Sequence, residues 1–248
     1  MRSVVLCVIL ASALPLLTAE ESRAQGPGIQ ALRSRLGDKS PEIRMEAARG
    51  LARVGGRQAV IILRDGLSDK NVDVRMTVIE ALGFVGGQLA LTVLSEALKD
   101  KSTQVRRAVE ALRQAGTIAA IPIIEKAFDD KERAVRLRAA LVLRRIGHRS
   151  GVPVLGRAAL NDNDPSVRAA AAKHLGKVGV KDPRALALLA KVLEDKEPAV
   201  RIRAVESLGF VQLPGAMTVL QQALEDLNAG VRLRATEVMG HVLAKDFE

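Results

Sequence analysis

The stretch DNDPSVR, residues 162–168, contains the pattern that decides the fold: an aspartate, five further residues and an arginine. The same spacing occurs seven times, in the pairs Asp38/Arg44, Asp69/Arg75, Asp100/Arg106, Asp130/Arg136, Asp162/Arg168, Asp195/Arg201 and Asp226/Arg232. The arginines follow one another at steps of 31, 31, 30, 32, 33 and 31 residues. A motif that returns at a nearly constant period indicates a repeated structural unit.

Each unit is predicted to contain two helices. Before the aspartate, apolar residues four positions apart, such as Leu63 and Leu67, lie on one helix face. After it comes a residue suited to capping the next helix, namely Ser40, Asn71, Ser102, Asp164 and Asn228, with Glu132 and Glu197 as poorer caps. Proline follows the cap at positions 41, 165 and 198, where a helix tolerates the missing N–H.

Stacking of these units predicts an all-α protein, a right-handed α-solenoid of about seven helical hairpins, because one hairpin cannot bury its apolar face alone. The repeats are expected at residues 28–56, 57–87, 88–117, 118–148, 149–180, 181–213 and 214–248, in a single domain over 28–248. The third repeat is one residue short near Leu112, so a local irregularity is expected there.

The repeats resemble the short bacterial type of HEAT-like repeat known from phycobilisome lyases. The resemblance rests on the Asp-Pro-Ser-Val-Arg run at 164–168, the Glu-Pro-Ala-Val-Arg run at 197–201, and Ala-Leu-Gly-Phe-Val at 81–85. It implies that the seven Asp/Arg pairs form a structural ladder of hydrogen bonds between neighbouring turns. On that basis Asp130→Ala, in the middle of the stack, should destabilise the protein more than Asp226→Ala near its end.

The N-terminus has the layout of a secretory signal peptide over residues 1–24. Arg2 precedes an apolar run from Val4 to Leu17, and small residues suit cleavage after Ala19 or Ala24. The run is shorter than the roughly 20 residues of a membrane span. We therefore expect a periplasmic or secreted protein with no transmembrane segment in the mature chain, although a retained N-terminal anchor stays open. Cleavage would remove Cys7, the only cysteine.

The sequence contains no recognisable catalytic or metal-binding motif. Its three histidines, His148, His174 and His241, are 26 and 67 residues apart, and none is followed by glutamate, whereas a HEAT-like family of iron hydroxylases uses His-Glu dipeptides as ligands. Phosphate-binding glycine loops and nucleophile motifs are also missing. We therefore assign no catalytic residue, metal or cofactor and predict that the protein is not an enzyme.

Charge and aromatic placement indicate a binding surface. Lys and Arg number 38 against 28 Asp and Glu, a net charge of +10, which favours acidic partners. The basic excess lies in the middle of the chain, and the second helices are expected to line the concave face. The candidate partner-binding residues there are Arg53, Phe84, Arg138, Arg145, Lys173, Lys177, Phe210 and His241.

A non-enzymatic, exported scaffold that binds a protein or peptide, expected to be acidic, is the preferred function. Binding of nucleic acid or another polyanion through a basic strip is one alternative. The absence of Trp and Tyr argues against it, because bases stack on aromatic side chains. A role related to bilin attachment, or to another enzyme, is a second alternative. The partner and the oligomeric state stay open.

Overall fold

The computed structural model describes residues 27–102, 109–116 and 118–245; the predicted signal peptide lies outside these residues. The described part contains fourteen α-helices and no strand. In chain order they are α1 (Pro27–Leu36), α2 (Pro41–Val54), α3 (Gly56–Asp65), α4 (Val72–Val85), α5 (Gly87–Ala97), α6 (Glu110–Ala115), α7 (Ile121–Lys126), α8 (Arg133–Ile146), α9 (Val152–Asn161), α10 (Pro165–Val178), α11 (Pro183–Val192), α12 (Pro198–Leu208), α13 (Gly215–Ala223) and α14 (Ala229–Lys245). The prediction of an all-α solenoid is confirmed.

Odd-numbered and even-numbered helices alternate as the first and second helices of successive hairpins. The even-numbered helices also contact one another along the stack: α2 packs on α4, α4 on α6, and α10 on both α8 and α12. In the third hairpin the described part of the second helix is short, with α6 ending at Ala115. The irregularity expected near Leu112 thus falls beside residues 103–108, which lie outside the described part.

Capping side chains start several of the second helices. The Oγ of Ser40 accepts a hydrogen bond from the N–H of Ile43, and the Oδ1 of Asn71 accepts from two N–H groups of the first turn of α4. Glu132 and Glu197, the poorer caps, make no such bond. Ser40 and Asn71 therefore cap helix starts as the sequence predicts, and they fix where α2 and α4 begin.

The core consists of aliphatic side chains of small and medium size. Leu51, Leu82 and Leu143 are among the largest fully buried side chains, and many of their neighbours are alanine or valine. Gly176 allows a close approach of α10 and α12, because a Cβ there would collide with the carbonyl oxygen of Ser207. Phe128 is half-buried against this core. Closely spaced helices explain why the core needs so little aromatic volume.

Candidate interaction surface

Five of the six described ladder arginines reach forward to the aspartate of the next repeat. Arg44 donates from Nε and Nη2 to the Asp69 carboxylate at 2.6 and 2.8 Å. The same two-pronged contact, at 2.6–3.1 Å, joins Arg75 to Asp100, Arg136 to Asp162, Arg168 to Asp195 and Arg201 to Asp226. Such bidentate pairs are the strongest ordinary hydrogen bonds between side chains.

One member of the predicted ladder does not fall within this description. Arg106, the arginine of the third pair, belongs to residues 103–108 and lies outside the described residues. Its partner in the sequence motif, Asp100, accepts the hydrogen bonds of Arg75 from the preceding repeat. The role of Arg106 in the ladder therefore stays a prediction.

Each described arginine also binds the turn of its own repeat. Arg44 donates from Nη1 to the carbonyl oxygens of Asp38 and Lys39 at 2.9 and 3.0 Å. The Asp69 carboxylate in turn accepts the N–H of Asn71 at 2.8 Å, so it holds the start of α4. Burial would raise the pKa of Asp69, but the hydrogen bonds from Arg44 and Asn71 outweigh it and the pKa is lowered. With its donors and acceptors taken up in this way, the ladder is structural.

The forward direction of these contacts changes which positions are the ends of the ladder. Asp226 accepts both hydrogen bonds of Arg201 and is thus an interior member. Asp38 has no earlier repeat among the described residues to supply an arginine, and its carboxylate accepts the N–H of Ser40. Asp226→Ala therefore removes the complete contact with Arg201. The prediction from the sequence that Asp226→Ala destabilises the protein less than Asp130→Ala assumed that Asp226 lies near an end of the ladder.

A groove runs across four consecutive second helices. It encloses about 730 Å³ and is lined by Arg49, Ala52, Arg53, Met76, Thr77, Ile79, Glu80, Ala81, Phe84, Glu110, Ala111, Gln114 and Arg138, from α2, α4, α6 and α8. Its floor is mostly apolar and its rim carries charges of both signs. The groove brings together three of the candidate residues predicted from the sequence, Arg53, Phe84 and Arg138.

Phe84 is the most exposed aromatic side chain in the described part, with 73% of its surface accessible. It lies in the last turn of α4, directly after Gly83, where a Cβ would approach that of Ala111 to 3.0 Å. The absence of that Cβ lets α6 pack closely, so Ala111 forms part of the floor next to the ring. Arg53 and Arg138 form no ion pair with any described residue, whereas two other arginines near the groove do.

Arg145 lies outside the lining of this groove and is engaged instead in an ion pair. Its Nη1 lies 2.8 Å from Oε2 of Glu110, and Arg113 donates to the other oxygen at 2.8 Å. Burial would raise the pKa of Glu110, but the two arginines outweigh it and keep the pKa lowered. Arg145 is therefore less available to a partner than the sequence suggested.

A second cluster surrounds Phe210 on α10, α12 and α14. The Lys177 ammonium lies 4.8 Å from the centre of the Phe210 ring, within cation–π range, and the ring is 45% exposed. Lys173 lines the same cavity of about 320 Å³. Glu206 there is held by Arg203 at 2.7 Å and by Arg234 at 3.0 Å. The structure thus brings together Lys173, Lys177 and Phe210.

His241, the last candidate, lies in neither cluster. It is exposed on α14, and its Nδ1 lies 2.8 Å from the carbonyl oxygen of Glu237 on the same helix. Its position in the repeat matches that of Phe84 and Phe210, but α14 has no described helix stacked beyond it to complete a groove. Repeat position alone therefore does not make a site.

Sequence reasoning missed two features of this surface. Glu80 lies four residues before Phe84 and Glu206 four before Phe210, a spacing that places each pair on one helix face, so the glutamates could have been found. The burial of His174 could not have been found in this way, because histidine does not recur at its repeat position: positions 142 and 238 hold valine. His174 is buried, no described group bonds its Nδ1, and burial, assisted by Arg144, Lys173 and Lys177, lowers its pKa to about 4.

The basic residues of the middle repeats do not form an uninterrupted strip. Arg133 lies 3.8 Å from the carboxylate of Asp164, and Arg157 forms an ion pair with Glu125. With the Arg145 pair, these contacts partly neutralise three of the basic residues of this region. Among the described residues no group of His, Cys, Asp and Glu side chains could hold a metal ion. None of the described helices has the length and hydropathy to cross a membrane.

Comparison with known proteins places these observations in a family. The family model for HEAT repeats matches residues 29–113, 121–189 and 153–240, more than half of the chain, and that for the PBS lyase HEAT-like repeat matches residues 105–130. A comparison with curated proteins returns no match.

The chain is also similar to solved structures. Human deoxyhypusine hydroxylase in complex with glycerol is 22% identical, over 91% of this chain and 88% of that one, with a TM-score of 0.45. The complex of CpcE and CpcF of phycocyanin lyase from Nostoc is 20% identical, over 88% and 96%, with a TM-score of 0.47. A mutant of Kap121p is 15% identical over 86% of this chain, which spans 29% of that one, with a TM-score of 0.61. At these identities the likeness concerns the fold alone, and the family matches carry the conclusion: this chain belongs to the HEAT repeat family.

Proposed function

We propose that this protein is an exported, non-enzymatic scaffold that binds an acidic, partly apolar segment of a protein partner in the groove around Phe84. The observation that carries this proposal is the combination of a 73% exposed Phe84 with an apolar floor and two arginines that lack ion pairs in the described part. HEAT repeats generally serve as interaction scaffolds, and the groove lies along the stacked second helices.

Physical chemistry supports a peptide-like occupant. An exposed phenylalanine in a groove gains free energy when another apolar side chain displaces water from it, and aromatic and arginine side chains dominate binding energy at interfaces. Arg53 on α2 and Arg138 on α8 lie at the two ends of the lining, with Phe84 between them. A segment with a central apolar side chain flanked by carboxylates would complement all three residues.

Export is the second part of the proposal. Residues 1–24 have the composition of a signal peptide, with cleavage after Ala19 or Ala24. The partner would then be a periplasmic or secreted protein. The mass of the protein accumulated in the cell envelope or medium tests this part directly: loss of 19 or 24 residues supports it, and an intact N-terminus outside the membrane fraction contradicts it.

Polyanion binding is favoured only by the net charge of +10. Against it, Glu80 and Glu110 line the main groove, and Arg133, Arg145 and Arg157 are ion-paired. A salt series separates the two functions. Retention on DNA that falls steeply with salt would favour a polyanion, because each neutralised phosphate releases counterions.

The partner can be sought with a photo-crosslinking amino acid placed at position 84 in the native host. Ile61 is a matched control, because it is 45% exposed but lies on the first helix α3, away from the groove. We expect a defined protein to crosslink from position 84 and not from position 61. Equal crosslinking from both positions would overturn the proposed site.

Charge reversal then tests the chemistry of the site. Arg53→Glu and Arg138→Glu should reduce the crosslink from position 84 at least tenfold, while Arg57→Glu, an equal change at an exposed residue of α3 outside the groove, should leave it intact. A crosslink that survives both groove substitutions would contradict an acidic partner segment.

A further inference from the structure

Arg232 is the last ladder arginine of the described residues, and only its Nη1 forms hydrogen bonds there. Arg232 donates from Nη1 to the carbonyl oxygens of Asp226 and Leu227 at 2.7 and 3.0 Å, as every described ladder arginine does within its own repeat. Its Nε and Nη2, which elsewhere bind the next aspartate, contact no carboxylate among the described residues. The side chain is exposed, whereas Arg44, Arg75 and Arg168 are 5% exposed.

Two leucines near Arg232 are exposed. Leu233 is 62% exposed, although the matching residue of the previous repeat, Ile202, is half-buried and lies 3.6 Å from where a Cβ of Gly230 in the next repeat would be. Leu227 is 98% exposed and follows Asp226, at a position that holds lysine or asparagine in the other six repeats. Leu227 and Leu233 therefore leave apolar surface accessible at this end of the described stack.

The opposite end of the described stack carries the complementary half. Asp38 has a carboxylate in the ladder position that no arginine of the described residues fills, and it already holds the N–H of Ser40 at 2.8 Å, as the interior aspartates hold theirs. Ala31 on α1 is exposed, while the matching residues Ile62 and Val93 are buried by the preceding repeat. This end therefore presents a carboxylate acceptor and the small apolar side chain of Ala31 to whatever stacks on it.

We propose that the two ends bind each other between copies of this chain, so that Arg232 of one copy continues the ladder to Asp38 of the next. The α14 face would then bind a second copy of the chain. Two features favour this partner: the charges of Arg232 and Asp38 are opposite, and both residues occupy the positions that pair in the interior of the ladder. Leu227 and Leu233 would lie against the first hairpin of the next copy. A head-to-tail contact of this kind is heterologous, so it builds open chains unless the rotation between copies closes a ring.

The test uses the full chain, purified in the form that the cell accumulates, in light scattering over about a hundredfold concentration range at low salt. The wild-type average mass should rise with concentration. Asp38→Arg alone and Arg232→Asp alone should each stay at the mass of one chain, because like charges then meet at the junction. Circular dichroism melting checks that both variants remain folded, and Arg57→Asp, away from both ends, should behave like the wild type.

Mixing the two variants gives the decisive result. The mixture contains one intact arginine end and one intact aspartate end, so it should associate again although neither component does. Restored association in the mixture supports the proposal. A wild-type mass that does not change with concentration, a mixture that stays at the mass of one chain, or two variants that associate as the wild type does would overturn it. Because no partner protein enters this experiment, its outcome is independent of the groove around Phe84.

Discussion

The helix α4 carries two functional groups with opposite surroundings, Arg75 in its first turn and Phe84 in its last. Arg75 is 5% exposed and binds the Asp100 carboxylate at 2.8 and 3.1 Å as well as two carbonyl oxygens. Phe84 is 73% exposed and faces a groove of about 730 Å³. The ladder arginine, whose position recurs along the chain, is saturated and structural in α4, while the phenylalanine, which occupies its position in only two repeats, is left accessible.

The largest effect should come from breaking the recurrent group in the interior. In Arg168→Ala the Asp195 carboxylate loses both of its bonds to the guanidinium, at 2.6 and 3.0 Å, and we expect the free energy of unfolding to fall by about 3 kcal/mol. Arg232→Ala, at the open end, should cost less than about 1 kcal/mol. Urea unfolding followed by circular dichroism measures both. Equal losses would show that the ladder contacts do not stabilise the stack.

Measuring stability as a function of pH tests whether the Arg168–Asp195 contact stabilises the stack. Burial raises the pKa of Asp195, but the hydrogen bonds from Arg168 and Glu197 outweigh it, so the folded pKa is lowered. A lowered carboxylate pKa adds stability above the unfolded value of about 3.9, and this stability is lost as the pH falls below it. Unfolding midpoints should therefore drop between about pH 4 and pH 2. In Arg168→Ala the drop should be shallower, and an unchanged slope would contradict the assignment.

His174 is a buried polar residue of a second helix whose Nδ1 has no hydrogen-bond partner among the described residues. Its pKa of about 4 lies below the ordinary 6.5 because burial and the nearby Arg144, Lys173 and Lys177 disfavour the charged ring. The unfolded chain therefore binds a proton first, and stability falls as the pH drops from about 6.5 to 4. His174→Val, which copies the residue at 142 and 238, should gain more stability over the wild type at pH 4 than at pH 8, by about 2 kcal/mol. A constant difference at both pH values would contradict this cause.

Small effects on stability are expected from the accessible groups. Lys177→Ala removes the cation above the Phe210 ring, 4.8 Å away, and should cost about 0.5 kcal/mol, measured by the same urea titration. A loss above about 2 kcal/mol would show that Lys177 is a structural group like the ladder arginines.

Much of this molecule could be predicted from the sequence, and the remainder depends on contacts between repeats. The period of the Asp/Arg pairs and the caps such as Asn71 are local signals, and they predicted the hairpins and the helix starts. That Arg44 binds Asp69 of the next repeat depends on how hairpins stack, so the ends of the ladder, Asp38 and Arg232, emerged only from the structure.

The candidate site divides in the same way. The repeat position indicated that Phe84 and Phe210 face outward, because each lies nine residues after its ladder arginine and helix geometry places that position away from the core. The sequence could not show that Arg145 is held by Glu110, because the third repeat is one residue short and its register differs from the others. The binding role of these residues stays a prediction.

The most direct test of the account is the affinity of Phe84→Ala for the partner captured at position 84, measured by titration calorimetry beside its urea unfolding curve. We expect affinity to fall at least tenfold, about 1.4 kcal/mol, while the free energy of unfolding changes by less than about 0.5 kcal/mol. Unchanged affinity, or a large loss of stability, would show that Phe84 belongs to the structural part of the repeat and would contradict the account.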